Sequence, residues 1–214
     1  MLSLFLLIPL ATFFFILFDY YFSNFNGVYY LTHSFCNLLI VFLTYSDVLT
    51  IYSNPNTILE ISNSDIAACL TYGLHFYHLI WYFKKLRFDD WLHHILMIFI
   101  ALPIASYFGP TRILGHSLFY TTGLPGMIDY LLLFLVRNNY INRLTEKSIN
   151  RYLNIWIRCP GCIIHGFLTI MYISNIYSVL DRILALITGI LVYWNGIYFM
   201  DQIVGNYYIE KIEK

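Results

Sequence analysis

The chain has 214 residues, of which 59% are hydrophobic and 11% charged, and its formal net charge is zero. Its mean hydropathy is +0.66. A soluble domain is about 25% charged, so the composition excludes an ordinary globular domain, and the lack of a basic stripe excludes nucleic-acid binding. The expectation is an all-α integral membrane protein.

A spanning helix needs roughly 20 apolar residues. The sequence predicts such segments at about 2–22, 27–45, 64–83, 91–108, 113–136, 153–175 and 183–204. The first has no basic n-region and no clear small-residue cleavage site, so a retained helix is expected rather than a signal peptide. The stretch 46–63, YSDVLTIYSNPNTILEIS, is expected as a loop with a short amphipathic piece. Gly123-Leu-Pro-Gly126 is expected to interrupt the fifth helix. No soluble domain is left over, so the whole chain, 1–214, forms one multi-pass domain.

The basic residues test this count. Lys84, Lys85 and Arg87 follow the third segment; Arg137, Arg143, Lys147 and Arg151 lie around the connection from the fifth to the sixth; Lys211 and Lys214 lie in the tail. With seven helices these all fall on one side, and Arg112 and Arg182 fall on the other. The positive-inside rule then places the C-terminus in the cytosol and the N-terminus across the membrane.

Ionisable residues inside a membrane are expensive and by default suggest function. At 1.5 Å per residue, His93 and His94 lie ~5 Å inside the cytosolic end of the fourth helix, and His78 lies ~9 Å inside that of the third, with His75 one turn deeper. Asp129 lies ~12 Å inside the fifth, and Asp201 ~5 Å inside the seventh, with Asn195 deeper. This shared depth predicts a polar cavity open to the cytosol. His75, His78 and Tyr82 fall on one stripe, Gly115, Thr122 and Asp129 on another, and Asn195, Phe199, Gln202 and Asn206 on a third. His93 and His94 are about 100° apart, so one is expected to face the cavity and the other a neighbouring helix. Asp89 and Asp90 precede them by four residues and are placed both to cap the helix and to hold the imidazoles. His116 and His165 are expected to be hydrogen-bonded groups of the bundle interior.

Metal chemistry is weighed at two places. Cys159-Pro-Gly-Cys162 has redox-like spacing, but no βαβ pattern surrounds it, so packed thiols on a proline-bent helix are expected. Zinc could be held by His75-x-x-His78 with His93 or His94. Histidines at i,i+3 are a loose signal, and no HExxH or cysteine-rich signature accompanies them, so no metal and no resident cofactor are assigned.

Several motifs together point to a family. LTYGLHFYHLIWYF precedes a basic connection and then DDWLHHILM; SYFGPTR and a last helix reading YWNGIYFMDQI follow. Over about residues 60–208 this resembles the TLC-domain family, multi-pass membrane proteins that include ceramide synthases and translocon-associated relatives. The resemblance implies a TLC-like bundle that handles lipid in the endoplasmic reticulum. In the ceramide synthase branch the paired histidines are catalytic, so it implies His93 or His94 as base; the shared depth adds Asp129 as orienter or charge partner, and His75, His78, Thr122, Asn195 and Asp201 as expected substrate-binding residues. Acyl-CoA would be a co-substrate and a membrane lipid or acyl chain the partner, with a homodimer left open. Ceramide synthases carry a paired-aspartate segment after the histidines, whereas here a single Asp129 stands farther along. A non-enzymatic lipid sensor, transporter or homeostasis protein is therefore the alternative. His75-Phe-Tyr-His78 also resembles the HxxHH box of fatty-acid elongases, with Leu79 in place of the third histidine.

Overall fold

The computed structural model describes residues 2–213, without the side chains of residues 2–5, 89 and 174. The expected reach of Asp89 to His93 therefore lies outside the described side chains. Seven helical rods follow one another: α1 (Leu2–Tyr21), α2 (Val28–Ser53), α3 (Ser64–Trp81), α4 (88–106), α5 (Arg112–Arg137), α6 (Arg143–Tyr172) and α7 (Val179–Ile212). No strand occurs among the described residues; one isolated bridge pairs Ile61 with Thr111. The all-α expectation holds. By length and composition, α2, α5, α6 and α7 can each cross a membrane, which fits a multi-pass membrane protein. Shorter apolar helices run over Leu6–Tyr21 and Asp90–Ser106.

The rods alternate in direction, and polar contacts tie their connections into two ends. At one end Asn138 donates to the Asn26 carbonyl (2.7 Å), and Arg143 pairs with Glu210 (3.0 Å). At the other, Ser64 donates to the Thr111 carbonyl (2.9 Å), Arg112 pairs with Glu60 (3.1 Å), and Tyr172 donates to Asn56 (3.0 Å).

Local signals set the ends. Asn142 accepts from the Thr145 amide and Ser178 from the Asp181 amide, each satisfying an orphan donor at a helix start. Pro55 forces Asn54 into an extended conformation and stops α2 there. This lies eight residues beyond the expected end at 45; Asp47, inside the stretch expected as a loop, is buried in the helix and paired with Arg112 (3.6 Å). The α6 rod likewise begins at Arg143 rather than 153. Its first turns are amphipathic and bury Glu146 and Asn150.

The fifth helix is not interrupted. Pro103, Pro125 and Pro160 each sit two residues beyond a π-helical turn, at Met97–Ala101, Phe119–Gly123 and Asn154–Arg158. A proline within a helix removes one amide donor and crowds the carbonyl four residues back. A wider turn there accommodates both effects without ending the rod.

Small residues let the rods approach closely. A Cβ on Gly73 would come within 2.7 Å of the Ala11 Cβ, and one on Gly196 within 2.5 Å of the Cys162 Cβ. Cys159 and Cys162 are free, buried thiols at the α6–α7 contact, as expected of packed cysteines. The α1–α3 contact is locked by Asp19, which is 4% exposed. Its carboxylate accepts from the Tyr77 hydroxyl, from Tyr82 (2.7 Å) and from Trp81 Nε1 (3.2 Å). Tyr82, expected on the histidine stripe, is thereby turned toward α1.

Asp19→Ala would leave these donors without their acceptor, at about 1–3 kcal/mol for each that stays buried. The thermal midpoint of the purified protein in detergent should fall by several degrees. A midpoint equal to wild type would show that this contact does not hold α1 in place.

Candidate functional site

A cavity of about 270 Å³ lies between the rods, and its lining includes residues near the connections 22–27, 82–87 and 138–142. Six rods line it. The α2 rod brings Tyr29 and His33; α3 brings His75 and His78; α4 brings Asp90, His93 and His94; α5 brings Thr122, Asp129 and Tyr130; α6 brings Arg158; α7 brings Asn195 and Phe199. Leu74, Met97, Leu118 and Ile203 add apolar wall.

The α3 and α4 histidines meet. His75 Nδ1 and His94 Nδ1 are 2.8 Å apart, and both rings are buried. At most one of these nitrogens carries a hydrogen in that contact. The His78 ring lies 4.8 Å from that of His94, and His78 is 1% exposed with neither ring nitrogen hydrogen-bonded. His93 also faces the cavity: its ring is exposed, 5.4 Å from that of His75 and 5.3 Å from that of His94. His93 faces the cavity, and His94 bonds His75 of the neighbouring α3 while its ring also lines the cavity. Asp90 caps α4, accepting from the Arg87 amide (3.0 Å), and also lines the cavity.

The opposite wall carries the other predicted residues. Asp129 accepts from the Asn150 side chain (2.5 Å). Thr122 donates to Asn37 (2.9 Å). Asn195 accepts from Arg158 (3.2 Å). Asp201 is exposed and is not part of the cavity lining, and Gln202 and Asn206 are also exposed. Gly115 packs instead against Asp47, at the other end.

Several cavity residues escaped the sequence reading of the site, His33 and Arg158 among them. His33 donates from Nδ1 to the Tyr29 carbonyl (2.8 Å), and its ring stacks on His78 at 4.2 Å and on Tyr130 at 4.1 Å. It lies seven residues from the 23–26 connection, ~10 Å deep, so the depth rule that found His78 could have found it. Arg158 falls inside the predicted sixth helix, outside the connections whose charges were counted. Its guanidinium donates to the Thr121 carbonyl (2.8 Å) and lies 4.1 Å from the Phe199 ring centroid.

His116 and His165 lie outside this cavity, with ring centroids 5.6 Å apart. They were expected to be hydrogen-bonded, but no ring nitrogen of either has a partner. Both are enclosed by apolar and aromatic neighbours, Tyr120 and Tyr52 among those around His116.

No family model matches the chain, and neither a curated protein nor a solved structure matches it.

Arg158 joins three rods through Thr121, Asn195 and Phe199, and hydrogen bonds from a charged group contribute about 1.5–3 kcal/mol each. Arg158→Leu should lower the thermal midpoint by several degrees. An unshifted midpoint would remove the guanidinium from any role in joining α5 to α7.

Proposed function

We propose that the chain is a seven-span, TLC-like protein of the endoplasmic reticulum whose cavity opens to the cytosol and takes up a lipid or acyl chain. As an enzyme it would transfer an acyl group from acyl-CoA to a lipid amine or hydroxyl. The observation that supports this reading is the convergence of polar side chains from six rods on one cavity that also has an apolar wall. Such a lining suits a molecule with a polar head and a long apolar tail. Cavity residues such as Tyr29, Asp90 and Asp129 lie near the basic connections, and the positive-inside rule supports a cytosolic position for those connections.

In this reading His93, the imidazole exposed in the cavity, is the general base. It takes the proton of the amine or hydroxyl as that group attacks the thioester carbonyl. The carbon–sulfur bond then breaks, and the proton passes to the departing CoA thiolate. Asp129 is the charge partner on the opposite wall. His75, His78, Thr122 and Asn195 contact the substrate. The second reading is a lipid binder or sensor without turnover. The engagement of His94 by His75 and of Asp129 by Asn150 favours it, since both groups already have partners.

Expression of wild type should shift the lipid composition of the host membranes, and the His93→Ala/His94→Ala double variant should abolish the shift. Equal lipid profiles for the two would sink the enzymatic reading. For the topology, Lys85→Cys and Arg143→Cys should react with a membrane-impermeant thiol reagent only from the cytosolic side, and Glu60→Cys only from the other. Labelling of all three from one side would exclude the alternating seven-span arrangement.

A further inference from the structure

We infer that His75, His78 and His94 form a binding site for a first-row transition-metal ion of the zinc class, with one coordination position open to the cavity. The two α3 histidines are one turn apart, and α4 brings the third. One donor nitrogen from each lies within 4.8 Å of the others. A tetrahedral centre with metal–nitrogen bonds of about 2.0–2.1 Å has its ligand nitrogens roughly 3.3 Å apart. The His75–His94 separation of 2.8 Å is one such edge, slightly contracted. Small rotations about the side-chain torsions bring the third nitrogen to the same centre.

A second observation points to a ligand independently of this spacing. His78 is buried, yet neither of its ring nitrogens has a hydrogen-bond partner. Buried polar atoms almost always have a partner. A metal ion among the three rings would give one of these nitrogens a partner and would replace the donor–acceptor contact of His75 with His94 by two ligand bonds. His33, stacked on His78 from behind, fixes the plane of that ring.

The chemistry of the donors selects the ion. Three imidazoles suit zinc, copper, nickel or iron(II); calcium and magnesium require oxygen donors. Three protein ligands and a free position are the pattern of reactive zinc sites, whereas structural sites are closed by four ligands. The open position faces the cavity that His93 and Asp90 also line. His116 and His165 show the same lack of partners, but form no group of three donors among the described residues, so no site is assigned there.

The inference rests on this geometry and not on acyl transfer; it assigns His75, His78 and His94 to the metal, in place of the substrate contacts proposed for His75 and His78, while leaving His93 as base. Its test needs no substrate. The full chain, purified in detergent, is loaded with zinc, desalted and assayed for metal by mass spectrometry. About one zinc per chain is expected for wild type and for His165→Ala, and at least a tenfold loss for His78→Ala and His94→Ala. Cobalt(II) in place of zinc should produce visible absorption bands typical of tetrahedral coordination in wild type and His165→Ala, and not in His78→Ala or His94→Ala. Absence of stoichiometric zinc in wild type, or equal retention by the His78 and His94 variants, would overturn the site. If those variants do not fold, wild type alone decides: its thermal midpoint should rise with zinc and fall with chelator, and an unchanged midpoint would refute the inference. Metal binding without any lipid change would retain the metal site and reject the transferase reading.

Discussion

The Thr121 carbonyl lacks the amide that an unbroken α-helix would aim at it, because Pro125 has no N–H to offer. In an apolar environment such a carbonyl must be satisfied from within the protein. The π-helical turn ahead of Pro125 widens the helix there, and the Arg158 guanidinium reaches across from α6 to supply the donor. That single demand of the backbone brings a cation into the bundle. The cation in turn engages Asn195 and the Phe199 ring on α7. Three rods are thereby held around one point, and the far wall of the cavity follows from it. Asp129 stands on the same wall, four residues beyond Pro125, in the turn that this arrangement orients.

The opposite wall depends on a second polar lock of the same kind. Asp19 draws Tyr77, Trp81 and Tyr82 toward α1. Tyr77 and Trp81 commit one side of α3 to this contact, and Tyr82, just past the helix end, reaches back to it; the side that carries His75 and His78 faces the cavity. Close approach at Gly73 completes the α1–α3 contact, with the Thr12 hydroxyl reaching the Gly73 carbonyl at 3.3 Å. Each lock buries a charged group supplied with hydrogen-bond partners, which is the condition under which charge is tolerated in an apolar interior.

Depth was legible in the sequence, and direction around the helix was less so. Counting from the basic connections placed His75, His78, His93, His94 and Asp129 at one level, and all of them line the cavity. Asp201 has a suitable depth but lies six residues from Asn195, about 120° around the helix. The α7 rod is apolar on most of its circumference, so hydropathy could not decide which side faces inward. Charges were also misleading where their partners are distant in sequence. Asp47 fell inside the stretch expected as a loop, yet it pairs with Arg112 of α5, and Asp19 drew no attention because its donors lie some 60 residues away. The prolines suggested interruptions because a π-helical turn leaves no recognisable pattern in side-chain periodicity.

Five of the seven histidines sit in the one cavity, and their surroundings separate their roles. His33 is committed to the Tyr29 carbonyl and serves as a stacking plate. His75, His78 and His94 turn their nitrogens toward one another, an arrangement in which a proton can satisfy only one pair while a metal ion can engage all three. His93 is the exposed ring among them, one residue and about 100° from His94. Adjacent histidines on a helix therefore solve a geometric problem: one is drawn inward to a buried cluster, while its neighbour stays within reach of whatever enters the cavity. A single histidine at this helix mouth could occupy either position but not both, which gives the pair in DDWLHH a physical reason that capping by the preceding aspartates does not supply.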